Sequence, residues 1–121
     1  METIKLKRVY NAPEAAPGDG YRVFVDRLWP RGESKVNFHY DLWAKDVAPS
    51  TELREWYHAD EANRWDEFER RYLAELEASS AARQLRRNLE LRNTPVTLLY
   101  SSRDTLHNNA VVLAKFLEMK Q

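Results

Sequence analysis

Two short apolar runs frame this chain. Tyr21-Arg22-Val23-Phe24-Val25 is apolar except for Arg22, and Val96-Thr97-Leu98-Leu99-Tyr100 follows a break at Thr94-Pro95. Runs of this length without alternation predict central strands near 21–26 and 95–100, covered on both faces. Ile4-Lys5-Leu6-Lys7 alternates instead, with Val9 and Tyr10 as an extension. That pattern predicts an edge strand near 3–9, where lysines discourage pairing with other chains. Residues 11–20 hold two prolines and two glycines and no period, so they form a loop.

Helical spacing dominates the middle of the chain. Trp65, Phe68, Tyr72 and Leu76 recur at three and four, which predicts a helix over 61–78 capped by Asp60. Glu67 with Arg70 or Arg71, and Arg71 with Glu75, supply charge pairs along its exposed side. Before it, Ser50 or Thr51 caps a short helix with Glu52 in its first turn and Leu53, Trp56 and Tyr57 on one face. After it, Ser79-Ser80 caps a helix near 81–91 with Ala82, Leu85 and Leu89 inward. A last helix near 108–119 carries Ala110, Val111, Leu113, Ala114, Phe116 and Leu117, apolar enough to pack directly on the sheet. Residues 33–49 show irregular spacing and end at Pro49.

Helices between apolar strands predict α/β architecture. The expectation is one small three-layer-type domain over 1–121, with a short, mainly parallel sheet and four to five helices. About 70 residues separate the two central strands, more than one crossover needs. They predict a helical excursion that covers one sheet face or overhangs the strand ends.

Composition narrows the function classes. With 121 residues, 43% hydrophobic and 31% charged, the chain suits one core. Net charge is zero, so no global field draws it to nucleic acid or anionic membrane. No cysteine is present, which excludes disulfides and thiolate chemistry. No run approaches the roughly 20 apolar residues of a membrane span, and no leader is visible, so the expected location is the cytoplasm. Of 19 cationic residues, 13 are arginine, the residue that grips carboxylates and phosphates with two prongs.

The chemistry concentrates where the central strands end. Asp26-Arg27-Leu28-Trp29-Pro30-Arg31-Gly32 follows the first, and Ser101 to Asn109 follows the second. Ligands of open α/β sheets bind at the carboxyl ends of strands. If the strands are parallel neighbours, one crevice collects Asp26, Arg27, Arg31, Ser101, Ser102, Arg103, Asp104, His107 and Asn108. Arg27, Arg31 and Arg103 are then anion ligands, Trp29 a stacking wall, and Ser101, Asp104 and Asn108 polar partners beside a helix start, whose free N–H groups favour anions. Asp26, Lys45 and His107 are the candidates for moving protons. The competing structural reading pairs Asp26 with Arg103 and Asp104 with Arg27 or Arg31, and makes Trp29 core and Asn108 a cap. Lys45 and Asp46 equally form a surface pair. His39, His58 and His107 lack metal-ligand spacing, and no G-x-S-x-G, P-loop or G-x-G-x-x-G occurs. No metal and no cofactor are expected; the expected partner is a small anion.

Three strings, 20–32, 41–54 and Thr97 to Asp104 with His107 to Ala110, together resemble the YeaO-like family, domain-of-unknown-function group 488. The resemblance covers nearly the whole chain. It implies a small α/β protein and brings no activity. The family's recurrent positions fall here on Asp26, Arg27, Trp29, Pro30, Arg31, Gly32, Lys45, Asp46, Ser50, Arg54, Arg103, Asp104, His107 and Asn108.

The favoured function is binding of a phosphate- or nucleotide-type anion, with an enzyme on a nucleotide-like substrate as its extension. A protein interaction module is the alternative, with Trp29, Trp43 and Trp56 as an exposed docking patch. Nucleic-acid binding through Arg83, Arg86, Arg87 and Arg92 is less favoured, because no aromatic residues are interleaved for stacking.

Overall fold

The computed structural model describes residues 4–119. Four strands, β1 (Ile4–Arg8), β2 (Tyr21–Phe24), β3 (Leu42–Trp43) and β4 (Val96–Tyr100), form one sheet in the order β1-β4-β2-β3. Every pairing is parallel, with Ile4 opposite Val96, Tyr21 opposite the same Val96, and Val23 opposite Leu42. The two apolar runs therefore occupy the centre side by side, and the lysine-bearing strand lies at an edge. β1 stops at Arg8, and Val9–Asn11 turns as a 3-10 helix.

β3 was not legible in the spacing. Two residues are too few to show a period, and a second 3-10 turn at Lys45–Val47 follows at once. The pairing itself holds β3: Asp41 and Ala44 N–H donate to the Arg22 and Phe24 carbonyls at 2.7 and 2.8 Å.

Four helices complete the fold: α1 (Thr51–His58), α2 (Glu61–Ala78), α3 (Ser80–Arg92) and α4 (Asn109–Glu118). The Ser50, Ser79 and Asn108 side chains accept from the N–H groups of Leu53, Ala82 and Val111, the caps that short polar residues supply. Asp60 stands at the start of α2 but its carboxylate accepts from the Asn63 side chain, at 3.1 and 3.2 Å. Glu67 pairs with both Arg70 and Arg71, whereas Glu75 leaves Arg71 and caps α1 by accepting from Ser50 N–H and Oγ at 2.9 and 2.6 Å.

All four helices turn their apolar faces to one side of the sheet. Leu53, Tyr57, Phe68, Tyr72, Leu76, Leu85, Leu89, Leu113 and Phe116 close over Val23, Val25, Val96, Leu98 and Tyr100. Each such fully buried side chain contributes roughly 1.5–3 kcal/mol. The long excursion between β2 and β4 covers one face, as its length predicts. The other face is covered by loop: Phe38 and Trp29, together with Trp43 of β3, pack on Phe24, Leu99 and Val9.

The amino-terminal edge of that second face is polar. Arg22 and Asp19 are buried there, joined at 2.6 Å, with Lys7 on the other Asp19 oxygen at 2.5 Å. Arg22 also donates to the carbonyls of His39 and Ala12 at 2.9 and 2.8 Å. Gly20 lets the loop enter β2 here: its φ is +65°, and a Cβ would lie 2.0 Å from the Pro95 carbonyl oxygen.

The basic stripe on α3 is broken up. Arg86 is buried, its guanidinium 4.3 Å from the Phe116 ring centre and bonded to the Phe116 carbonyl. Arg92 lies over Tyr21 at 3.6 Å, and Arg83 donates to the Glu77 carbonyl. Arg86 sits four residues after Ala82 and three before Leu89, so the helical period puts it on the apolar face.

Candidate functional site

The carboxyl ends of β2 and β4 lie side by side, and the loops leaving them border a cleft of about 620 Å3. Asp26 ties the loops together. One carboxylate oxygen accepts from Ser101 N–H at 3.0 Å and from Ser101 Oγ; the other accepts from Asn109 Nδ2 at 3.1 Å. Burial raises the Asp26 carboxyl above the ordinary range, against the pull of these bonds. Its oxygens are committed to structure.

All nine residues expected at the crevice line this cleft. They do not form the ion pairs of the competing reading. Asp104 holds His107 at 3.0 Å and accepts from the N–H groups of Leu106 and His107. The Leu106 N–H bond leads, with His107 next, in holding its carboxyl below the usual range. Among the described residues no carboxylate pairs with Arg27, Arg31 or Arg103. Arg27 reaches the Ala48 and Pro49 carbonyls only at 3.4 Å, the outer limit of a hydrogen bond, and its buried Nε has no partner.

Arg54 joins them from α1. It lines the cleft, makes no ion pair among the described residues, and its buried Nε is also unpartnered. Its mid-helix position gave no local signal; only its recurrence in the resembled family pointed to it. His58 and Glu61, joined at 2.7 Å, form the cleft's edge at the α1–α2 junction. Asn108 lines the cleft and caps α4 as well.

Trp29 contributes less than a stacking wall. Its indole packs edge-on against Phe38 and Trp43 at 5.4 and 5.6 Å, and its N–H donates to the Glu33 carbonyl at 2.7 Å. It lines the cleft from within the second core. Lys45 does not reach the cleft. Its ammonium lies 4.6 Å from the Trp43 ring centre, in place of the pair with Asp46. The three candidates for proton transfer thus do not share one site.

The expected tryptophan patch is not formed either. Trp43 is half-buried and donates to the Asp26 carbonyl, and the Arg64 and Arg71 guanidiniums lie over the Trp56 ring at 4.7 and 4.4 Å. No helix among the described residues is long and apolar enough to cross a membrane.

A family model described as "Inactive DUF488-N3 subclade" matches residues 3–121. The chain belongs to this family. It is 43% identical over 115 residues to the uncharacterized protein YeaO of Escherichia coli K12, covering 94% of this chain and 96% of that one. It is 46% identical over 116 residues to the uncharacterized protein Rv3073c of Mycobacterium tuberculosis H37Rv, covering 94% and 92%. No solved structure matches. The resemblance of the three strings to the YeaO-like family thus extends through the whole domain, loops of the cleft included.

Proposed function

We propose that the cleft at the strand ends binds a phosphate- or nucleotide-type anion and holds it without turnover. One observation carries the reading. Arg27, Arg31, Arg54 and Arg103 line a single cleft, and none is paired with a carboxylate among the described residues. A buried donor without an acceptor costs about 1–3 kcal/mol; Arg27 and Arg54 in the cleft each carry one, as does Arg86 on α3. An oxyanion supplies the missing acceptors in the planar, two-pronged geometry that guanidinium favours. The start of α4 beside Asn108 adds the positive end of its dipole.

Support for binding without chemistry comes from the acids and bases. Asp26 spends its lone pairs on Ser101 and Asn109, and Lys45 sits over Trp43. The family's description as inactive agrees. In this reading Asp26 positions the two loops, and His107 is held at the rim by Asp104.

Calorimetric titration of the full chain with sulfate, phosphate and adenosine monophosphate tests it. Saturable binding is expected, weakened about tenfold or more in Arg54→Ala and Arg27→Ala, the loss of one charge-assisted bond. No heat and no change of melting temperature with any of the three anions ends the proposal.

A further inference from the structure

Building on the anion reading, we infer that the ligand is a phosphate monoester with a planar apolar body of about nucleoside size, rather than a free inorganic oxyanion. The cleft is far too large for the latter. An oxyanion the size of two or three waters takes up about 60–90 Å3, at the ~30 Å3 each water occupies in liquid. The cleft offers about 620 Å3, within the usual range for small-molecule pockets.

Part of the remaining lining is apolar, beside polar groups that include Ser101, Asp104 and His107. Leu28, Pro30, Tyr57 and Phe68 border the same cleft as the arginines. Leu28 is 61% exposed, on a loop otherwise packed through Trp29 and Pro30. An inorganic anion leaves that surface in water, whereas an attached ring covers it. Tyr57 adds a specificity element. Its ring is buried against Phe68 at 4.5 Å, yet its hydroxyl makes no hydrogen bond among the described residues and is not sealed from solvent. A hydroxyl on the wall of a cleft, free to donate or accept, suits a polar edge on the ligand's body.

The division of labour follows. Arg27 and Arg54, the two less exposed arginines, take the phosphate; Leu28 and Tyr57 take the body. The test compares inorganic phosphate, phenyl phosphate, adenosine monophosphate and adenosine on the full chain at constant ionic strength. Both monoesters should bind about tenfold or more tighter than phosphate, the effect of covering roughly 60 Å2 of apolar surface. Leu28→Ser should cut that preference several-fold and leave phosphate binding unchanged. Tyr57→Phe should weaken adenosine monophosphate and spare phenyl phosphate. Equal affinity for phosphate and both monoesters overturns this inference and leaves the anion site standing. Adenosine binding as tightly as its monophosphate, or no binding by any of the four, overturns the anion reading and this inference with it.

Discussion

An arginine stands near each end of β2, and the two live in opposite surroundings. Arg22, at the start, is buried with Asp19 at 2.6 Å, and both its Nε and Nη2 donate to carbonyls. Arg27, past the end, finds carbonyls only at 3.4 Å and leaves a buried Nε unpartnered. The acids differ in the same way. Burial works to raise the Asp19 carboxyl, but hydrogen bonds from Lys7, Ala16 N–H and Arg22 prevail and hold it at about 2. The Asp26 carboxyl is raised by burial, which outweighs hydrogen bonds from Ser101 and Asn109 and the nearby charge of Arg54. One end of the strand is finished as structure. The other keeps a guanidinium Nε without a partner among the described residues.

Asp19→Ala should break the finished end most visibly. It leaves Arg22 buried without its carboxylate, which costs about 3–5 kcal/mol. Urea denaturation measures it, and a loss below about 1 kcal/mol would erase the contrast between the two ends.

Acid probes the same end more gently. The Asp19 carboxyl sits at about 2 in the fold against 3.8 ordinarily, so its contribution is present above about pH 4 and is lost as pH falls toward 2. The linkage amounts to about 2 kcal/mol. The stability difference between the native chain and Asp19→Asn should shrink by that amount over the window. Asp26 acts with opposite sign, since its raised carboxyl favours the protonated form in the fold. A difference that stays constant with pH would place the stabilising contacts elsewhere than on the Asp19 charge.

At the cleft the expectation reverses: large effects on binding, small ones on folding. Arg54→Ala should keep stability within about 1 kcal/mol of the native chain, as no ion pair is broken, while anion affinity falls about tenfold. Thermal unfolding with and without phosphate reads both at once. A strongly destabilised variant with unchanged affinity would mean Arg54 is a structural residue.

The smallest effect belongs to the rim. Arg31 is exposed; its carbonyl accepts from the Tyr10 hydroxyl at 2.8 Å, and its guanidinium makes no ion pair among the described residues. Arg31→Ala should lower affinity about threefold or less, with most of the loss vanishing in high salt, as for screened surface charge. A loss equal to that of Arg54→Ala would shift the centre of the site outward.

Much of the fold was legible. The span 61–78, read from Trp65, Phe68, Tyr72 and Leu76, is the span of α2. The caps at Ser50, Ser79 and Asn108 stand where short polar residues precede apolar periods. The two cleft loops followed from apolar runs ending in polar residues. What spacing hid has particular causes. β3 is two residues held by pairing alone. Trp29 looked like a ligand wall because its partners, Phe24, Phe38 and Trp43, lie 5 to 14 positions away. Arg86 misled by its charge, although the period of α3 had already turned it inward.

Sequence alone determined the elements and their ends, because apolar period, proline and glycine breaks and caps act within a few residues. It also supplied the arginines. Only tertiary structure decided which of them are satisfied. Asp26 meets Ser101 across 75 positions because β2 and β4 are paired, and Arg54 reaches the same cleft because Glu75 fixes the start of α1 from α2. Whether a guanidinium has a partner depends on what the strand order brings within about 3 Å of it, and no local pattern encodes that distance.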